Sequence, residues 1–172
     1  MDIAEIYEQY GSVLSQKATN ADLVESHEEF PTVPTGSYRV ELTKKEWRPA
    51  GDKSPWPGRL MATGRWVVYG PTGQKLATSL WDLSPEKRVD DNGRLDTQYR
   101  LWLQAATALD MAKSTPADIF EMLESIPYQA KINLLFKTSA GWRTAGNDSD
   151  AASYREAGYT GKNFLNKLEA VK

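Results

Sequence analysis

One segment restricts the possible folds more than any other: Tyr128 to Lys137, YQAKINLLFK. Tyr128, Ala130, Ile132, Leu134 and Phe136 alternate with Gln129, Lys131, Asn133 and Lys137. A period of two sends the apolar set to one side and the polar set to the other, as a half-buried strand requires. Other segments repeat the pattern. Tyr38, Val40 and Leu42 alternate with Arg39, Glu41 and Thr43. Leu60, Ala62, Trp66 and Val68 share one face of a second strand, with Met61, Thr63, Arg65, Val67 and Tyr69 on the other. Gly70-Pro71-Thr72-Gly73 then predicts a hairpin turn into a third strand, Leu76 to Leu83. The final segment, Lys162 to Val171, fits strand and helix patterns alike and is taken as a strand.

Helices have their own period. Ile3, Ile6, Tyr7, Tyr10 and Leu14 predict an N-terminal amphipathic helix, and Leu95, Tyr99, Trp102, Ala106 and Leu109 predict a second. Thr115-Pro116-Ala117-Asp118 opens a third: Thr caps, Pro suits the first helical position and Asp complements the dipole. Residues 15–29 lose all periodicity and read as a linker, residues 49–58 as a loop and residues 139–161 as a long loop. The expected organisation is an N-terminal helix and linker over 1–29 and one domain over 30–172. Strand-strand-strand, helix pair, strand, strand is the order of an OB-type barrel. The fold class expected is α+β: a five-stranded antiparallel barrel with a helical insertion between its third and fourth strands. An open antiparallel sheet backed by helices is the alternative.

Charge is unevenly distributed. The net charge of −2 argues against a nucleic-acid binder, but residues 1–35 are −6, 36–81 are +5, 82–126 are −4 and 127–172 are +3. The basic segments are those that read as strands, so an anionic ligand would meet the sheet. The chain has no Cys, which removes disulfides and thiolate metal sites and suits a reducing cytoplasm. No apolar run approaches the ~20 residues of a membrane span, and the acidic N-terminus lacks the layout of a signal peptide. A soluble cytoplasmic protein, monomeric or dimeric, is the expectation.

A Pro/Gly turn leading into a long strand (PTGSYRVELTKKEW), a Gly/Pro loop, a hairpin closing on a Trp (GRLMATGRWVVYGPTGQKLATSLWDL) and an end reading GKNFLNKLEAV together resemble the phage-type single-stranded DNA-binding proteins with an OB fold. The resemblance spans roughly residues 30–172 and is one of layout. It implies non-catalytic coating of single strands in phage DNA replication or recombination, with replication or recombination proteins as partners. The sequence departs from that family in two ways. Residues 1–29 have no counterpart, and the end, LEAVK, lacks the acidic tail that recruits partners in many members.

Sequence-independent binding of a single strand needs cations for the phosphates and exposed aromatic faces for the bases. The candidates are Trp47 and Arg48 at the end of the first strand, Lys53 in the following loop, and Arg59, Arg65 and Tyr69 leading into and along the second. Lys75 and Trp81 belong to the third strand, Lys131 and Lys137 to the fourth, and Trp142 and Arg143 to the late loop. Trp47 and Trp81 suit a stacking platform and a core equally, Trp56 suits a lid, and Trp66 and Trp102 are read as core. Catalysis finds little support. The single His, His27, sits in the acidic linker without a second His or Cys to share a metal or build a triad. Asp118 with Lys131 echoes a metal-dependent nuclease only loosely, and Asp118 already has a role at a helix start. No enzyme and no cofactor is expected. A protein-interaction module of the same fold class, using the N-terminal helix, is the other reading.

Overall fold

The computed structural model describes residues 2–14 and 32–172. The chain divides into two units, residues 1–31 and residues 32–172. The linker expected over 15–29, and His27 within it, lie outside the described residues. In the first unit, Asp2 accepts a hydrogen bond from the Glu5 amide at 2.8 Å and so caps α1 (Ile3–Leu14). Ile3, Tyr7, Tyr10, Val13 and Leu14 of this helix are all exposed.

The second unit contains six strands and three helices. In chain order these are β1 (Gly36–Pro49), β2 (Leu60–Tyr69), β3 (Lys75–Leu83), α2 (Thr97–Ala108), α3 (Pro116–Met122), β4 (Tyr128–Thr138), β5 (Gly141–Thr144), α4 (Asp148–Glu156) and β6 (Gly161–Ala170). The sequence signals act as elementary chemistry predicts. Thr115 accepts from the Asp118 amide with Pro116 in the first turn, and Asp96 caps α2 by accepting from the amides of Gln98 and Tyr99. Gly73, at φ 81°, turns the β2–β3 hairpin.

All strand pairings are antiparallel, in the order β3-β2-β1-β4. One edge of β4 runs along β6, while its other edge is shared: β1 pairs residues 128–132 and β5 pairs residues 135–138. The α+β class therefore holds, but the closed five-stranded barrel does not. No backbone ladder joins β3 to β6 among the described residues; α2 packs against both, and a side chain, the Trp81 indole, donates to the Asn163 carbonyl at 3.3 Å. The 139–161 loop is also corrected. Gly141, at φ 102°, turns the chain back into β5, and Asn147 caps α4 by accepting from the Asp150 amide at 2.9 Å.

The inner face of the sheet carries the main core: Val40, Leu42, Trp66, Val68, Trp81, Leu83, Tyr128, Ile132, Leu165 and Leu168, closed by Leu101 and Trp102 of α2 and Ile119 of α3. Gly64 has no side chain because Leu42 and Trp66 occupy that space. Leu134, Phe136, Ala145 and Ala151 form a smaller cluster with Tyr154 stacked on Phe136 at 5.0 Å. Each large side chain so buried contributes about 1.5–3 kcal/mol. The opposite face carries most of the strand charges, and Met61, Thr63 and Val67 of β2 are buried on it.

Candidate nucleic-acid interface

Strand register decides what that outer face presents. Arg39 of β1 lies opposite Tyr69 of β2 on one side and Gln129 of β4 on the other, and Lys75 of β3 lies opposite Tyr69. A bulge in β1 between Leu42 and Lys44 brings Lys44 opposite Arg65. A second irregularity in the β4–β6 ladder brings Lys167 opposite Lys131. Like charges directly opposite across a ladder destabilise a sheet, and this face contains two such pairs.

Acids on the same face answer some of the cations. Arg39 pairs with Glu41 at 2.6 Å, Arg48 with Asp82 at 3.5 Å and Lys167 with Glu169 at 3.7 Å. These are exposed pairs, worth little and screened by salt. The Tyr69 hydroxyl donates to Glu41 at 3.1 Å. That hydrogen bond holds the Tyr69 phenol above its ordinary pKa, desolvation and the Glu41 charge adding to it and Arg39 opposing. The Arg39 guanidinium lies 5.5 Å from the Tyr69 ring centre.

Where β4, β5 and β6 meet, the face changes character. Lys137 lies opposite Trp142, Leu135 opposite Thr144 and Lys162, and Asn133 opposite Phe164. Trp142 and Phe164 approach edge to face, with centroids 5.5 Å apart at 65°. The Lys162 ammonium lies 4.4 Å from the Trp142 ring centre and 4.5 Å from that of Phe164, and Lys137 lies 5.5 Å from Trp142. Trp142 remains 38% exposed. Phe164 and Lys162 were not among the candidates read from sequence. The signal was present: Asn163 and Leu165 point inward, so period 2 sends Lys162 and Phe164 outward.

Of the twelve sequence candidates, Arg65, Tyr69, Lys75, Lys131, Lys137 and Trp142 share this face, and Arg48 joins them through its pairing with Asp82. Two others are buried. Trp81 is 8% exposed, tilted against Trp66 at 6.3 Å within the core. Arg59 has a side chain 1% exposed and fork-paired to Asp96, 2.8 Å and 2.6 Å, with a further bond to the Glu86 carbonyl at 2.6 Å. It ties the loop before β2 to the cap of α2. Trp56 lies over its guanidinium at 5.1 Å. Trp47 faces inward and stacks on Phe120 at 4.3 Å, though its rim is 37% exposed. Lys53 lies on the exposed 51–58 loop. Arg143 lies opposite Phe136 and so belongs to the other side of β5 from Trp142.

Among the described residues no group of three His, Cys, Asp or Glu side chains could hold a metal ion. Asp118 stands exposed in the first turn of α3, its amide bonded to Thr115. No helix among the described residues is long and apolar enough to cross a membrane. The chain matches no protein-family model, no curated protein and no solved structure.

Proposed function

We propose that residues 32–172 bind single-stranded DNA on the outer face of the sheet, without catalysis and without reading sequence. The observation that carries this reading is the pair of like-charge juxtapositions, Lys44 with Arg65 and Lys131 with Lys167. Each costs stability in the free protein, and phosphates laid over the face would neutralise both. The exposed ring of Trp142 and the half-buried ring of Tyr69 favour unpaired bases, which alone offer a free π-face. The order β3-β2-β1-β4-β6, with two helices between β3 and β4, supports an OB-like plan that stops short of closure. On the family resemblance, the setting is the coating of single strands in phage replication or recombination, in the host cytoplasm. A second reading, a protein-interaction module, has one observation in its favour: the exposed apolar residues of α1. It predicts a partner or self-association that is lost on deleting residues 1–29.

The test is a titration with a (dT) oligonucleotide of about 30 residues, long enough for several OB site sizes, followed by intrinsic Trp fluorescence at low and moderate salt. The expected result is saturable quenching. The slope of log K against log salt should be about −0.7 per phosphate contacted. No fluorescence change and no gel shift at either salt concentration would reject the reading.

A further inference from the structure

We propose that the corner of β4, β5 and β6 is a one-nucleotide subsite: an unpaired base stacks on the Trp142–Phe164 pair, and its phosphate is held by Lys162 and Lys137. The proposal rests on reading the outer face as a single-strand surface and assigns a specific position on it.

Exposure is the first argument. Trp142 is 38% exposed although an apolar cluster with Phe136 and Tyr154 lies on the opposite face of the same ladder. Its ring covers no core there. The edge-to-face geometry with Phe164 is the second, since rings set at 65° form a notch and do not cover each other face to face as a stacked pair would. The third is what occupies the notch. Ammonium groups lie 4.4 Å, 4.5 Å and 5.5 Å from the ring centres, within the range of cation–π attraction. Neither Lys137 nor Lys162 forms an ion pair with a carboxylate among the described residues. The corner therefore presents two aromatic faces and two cations held only by those faces.

A nucleotide matches both halves: the phosphate draws the ammonium groups off the rings, and the base takes the faces they leave. A simple anion would use only the lysines, and an apolar side chain only the rings. The corner also continues the cationic face. Lys137 lies six residues along β4 from Lys131, about 20 Å at ~3.3 Å per residue, so one strand reaches both.

The experiment uses the full chain, (dT)30 and an abasic strand of the same length. Trp142→Ala and Phe164→Ala should each weaken (dT)30 binding about 5- to 150-fold, leaving the salt slope and the affinity for the abasic strand unchanged. Lys162→Ala should reduce the magnitude of the slope by about 0.7. If wild type binds (dT)30 in a salt-sensitive way and both ring variants bind equally well, the subsite is wrong while the outer-face reading survives. If wild type binds neither strand, both fall. Photocrosslinking of a bromouracil-substituted strand to the wild-type protein needs no variant to fold. Adducts on Trp142 or Phe164 support the subsite, and adducts confined elsewhere overturn it.

Discussion

If Lys131 faces Lys167 for the sake of a ligand, then Lys131→Glu should make the free protein more stable and a poorer binder. Lys131 is exposed on β4, opposite Ser37 of β1 and Lys167 of β6. The substitution converts a like-charge cross-strand pair into an opposite-charge one. Each arrangement is worth ~0.2–1 kcal/mol, with opposite signs. Both side chains are exposed and Lys167 already has Glu169 at 3.7 Å, so screening places the net swing at about 0.5–1 kcal/mol. For a protein of this size that raises the melting temperature by about 1–4 °C. The gain should vanish near 1 M salt, where the Debye length falls to ~3 Å. Binding moves the other way. Loss of one phosphate contact reduces the magnitude of the salt slope by ~0.7, which is about 5-fold in affinity at 0.1 M salt, and the new carboxylate brings the loss to about 10-fold. Lys113→Glu, on an exposed turn away from the sheet, is the control and should change stability by less than ~0.5 kcal/mol. Thermal melts and (dT)30 titrations on both variants decide the matter. A Lys131→Glu protein that melts no higher than wild type and binds as tightly would show that the lysine pair is neither a cost nor a contact.

Trp81→Ala should cost about 3–5 kcal/mol by emptying the core and should leave the salt slope of the folded fraction unchanged; a selective binding defect in a fully stable protein would contradict its burial. Arg59→Ala strands the Asp96 carboxylate in a nearly buried position and should cost about 3–5 kcal/mol, read as a lower urea midpoint at similar m-value. Burial raises the Tyr128 phenol well above its ordinary pKa of ~10. Above pH ~10 the unfolded chain therefore holds fewer protons than the folded one, and stability falls as pH rises. Tyr128→Phe should flatten that alkaline slope in pH-dependent melts. At neutral pH it should cost about 1–3 kcal/mol, because the Leu123 carbonyl loses its 2.6 Å donor.

Much of this arrangement is written locally in the chain, and what is not has a physical cause. The long strands and the caps of α2 and α3 depend on side-chain period and short-range hydrogen bonds, so they are visible in sequence. The four-residue β5 is too short to show a period, and α4 buries a single residue, Ala151. The cap of α4, Asn147 bonding the Asp150 amide, resembles a turn until the helix behind it is seen. Alternation alone does not say whether Leu80 or Trp81 of β3 faces the core, since both are large and apolar. The unbroken register from Ala77 to Leu83 sets Trp81 opposite Gly64, where the missing side chain leaves room within the core, so Ala77, Trp81 and Leu83 face inward and Leu80 is exposed. Arg59 reads as a basic loop residue because its partner, Asp96, is 37 positions away. Whether a sheet closes depends on which edges meet, and no local pattern encodes that: here β3 and β6 approach and are linked by the Trp81 indole without forming a ladder, and α2 packs against both.

The spacing of the charges narrows the ligand further than their sign does. Lys44 with Arg65, Lys131 with Lys167, and Lys137 with Lys162 form three cationic groups on one face. Lys131 lies opposite Ser37, so Lys44 is about six pleat positions away along β1, allowing for the bulge, and Lys137 is six positions away in the opposite direction along β4. At ~3.3 Å per residue the groups stand about 20 Å apart. No small anion spans two of them, and a single acidic side chain neutralises one at most. The chain has acids enough to pair every lysine on this face, with 23 Asp and Glu against 21 Lys and Arg, yet register sets lysine against lysine and lysine against arginine. A ligand that repeats its negative charge along an extended, flexible backbone meets all three groups at once. A single strand of the length that OB domains take, about 4–16 nucleotides, is such a ligand. A rigid duplex would satisfy the cations but leave Trp142 and Phe164 without a base to stack on.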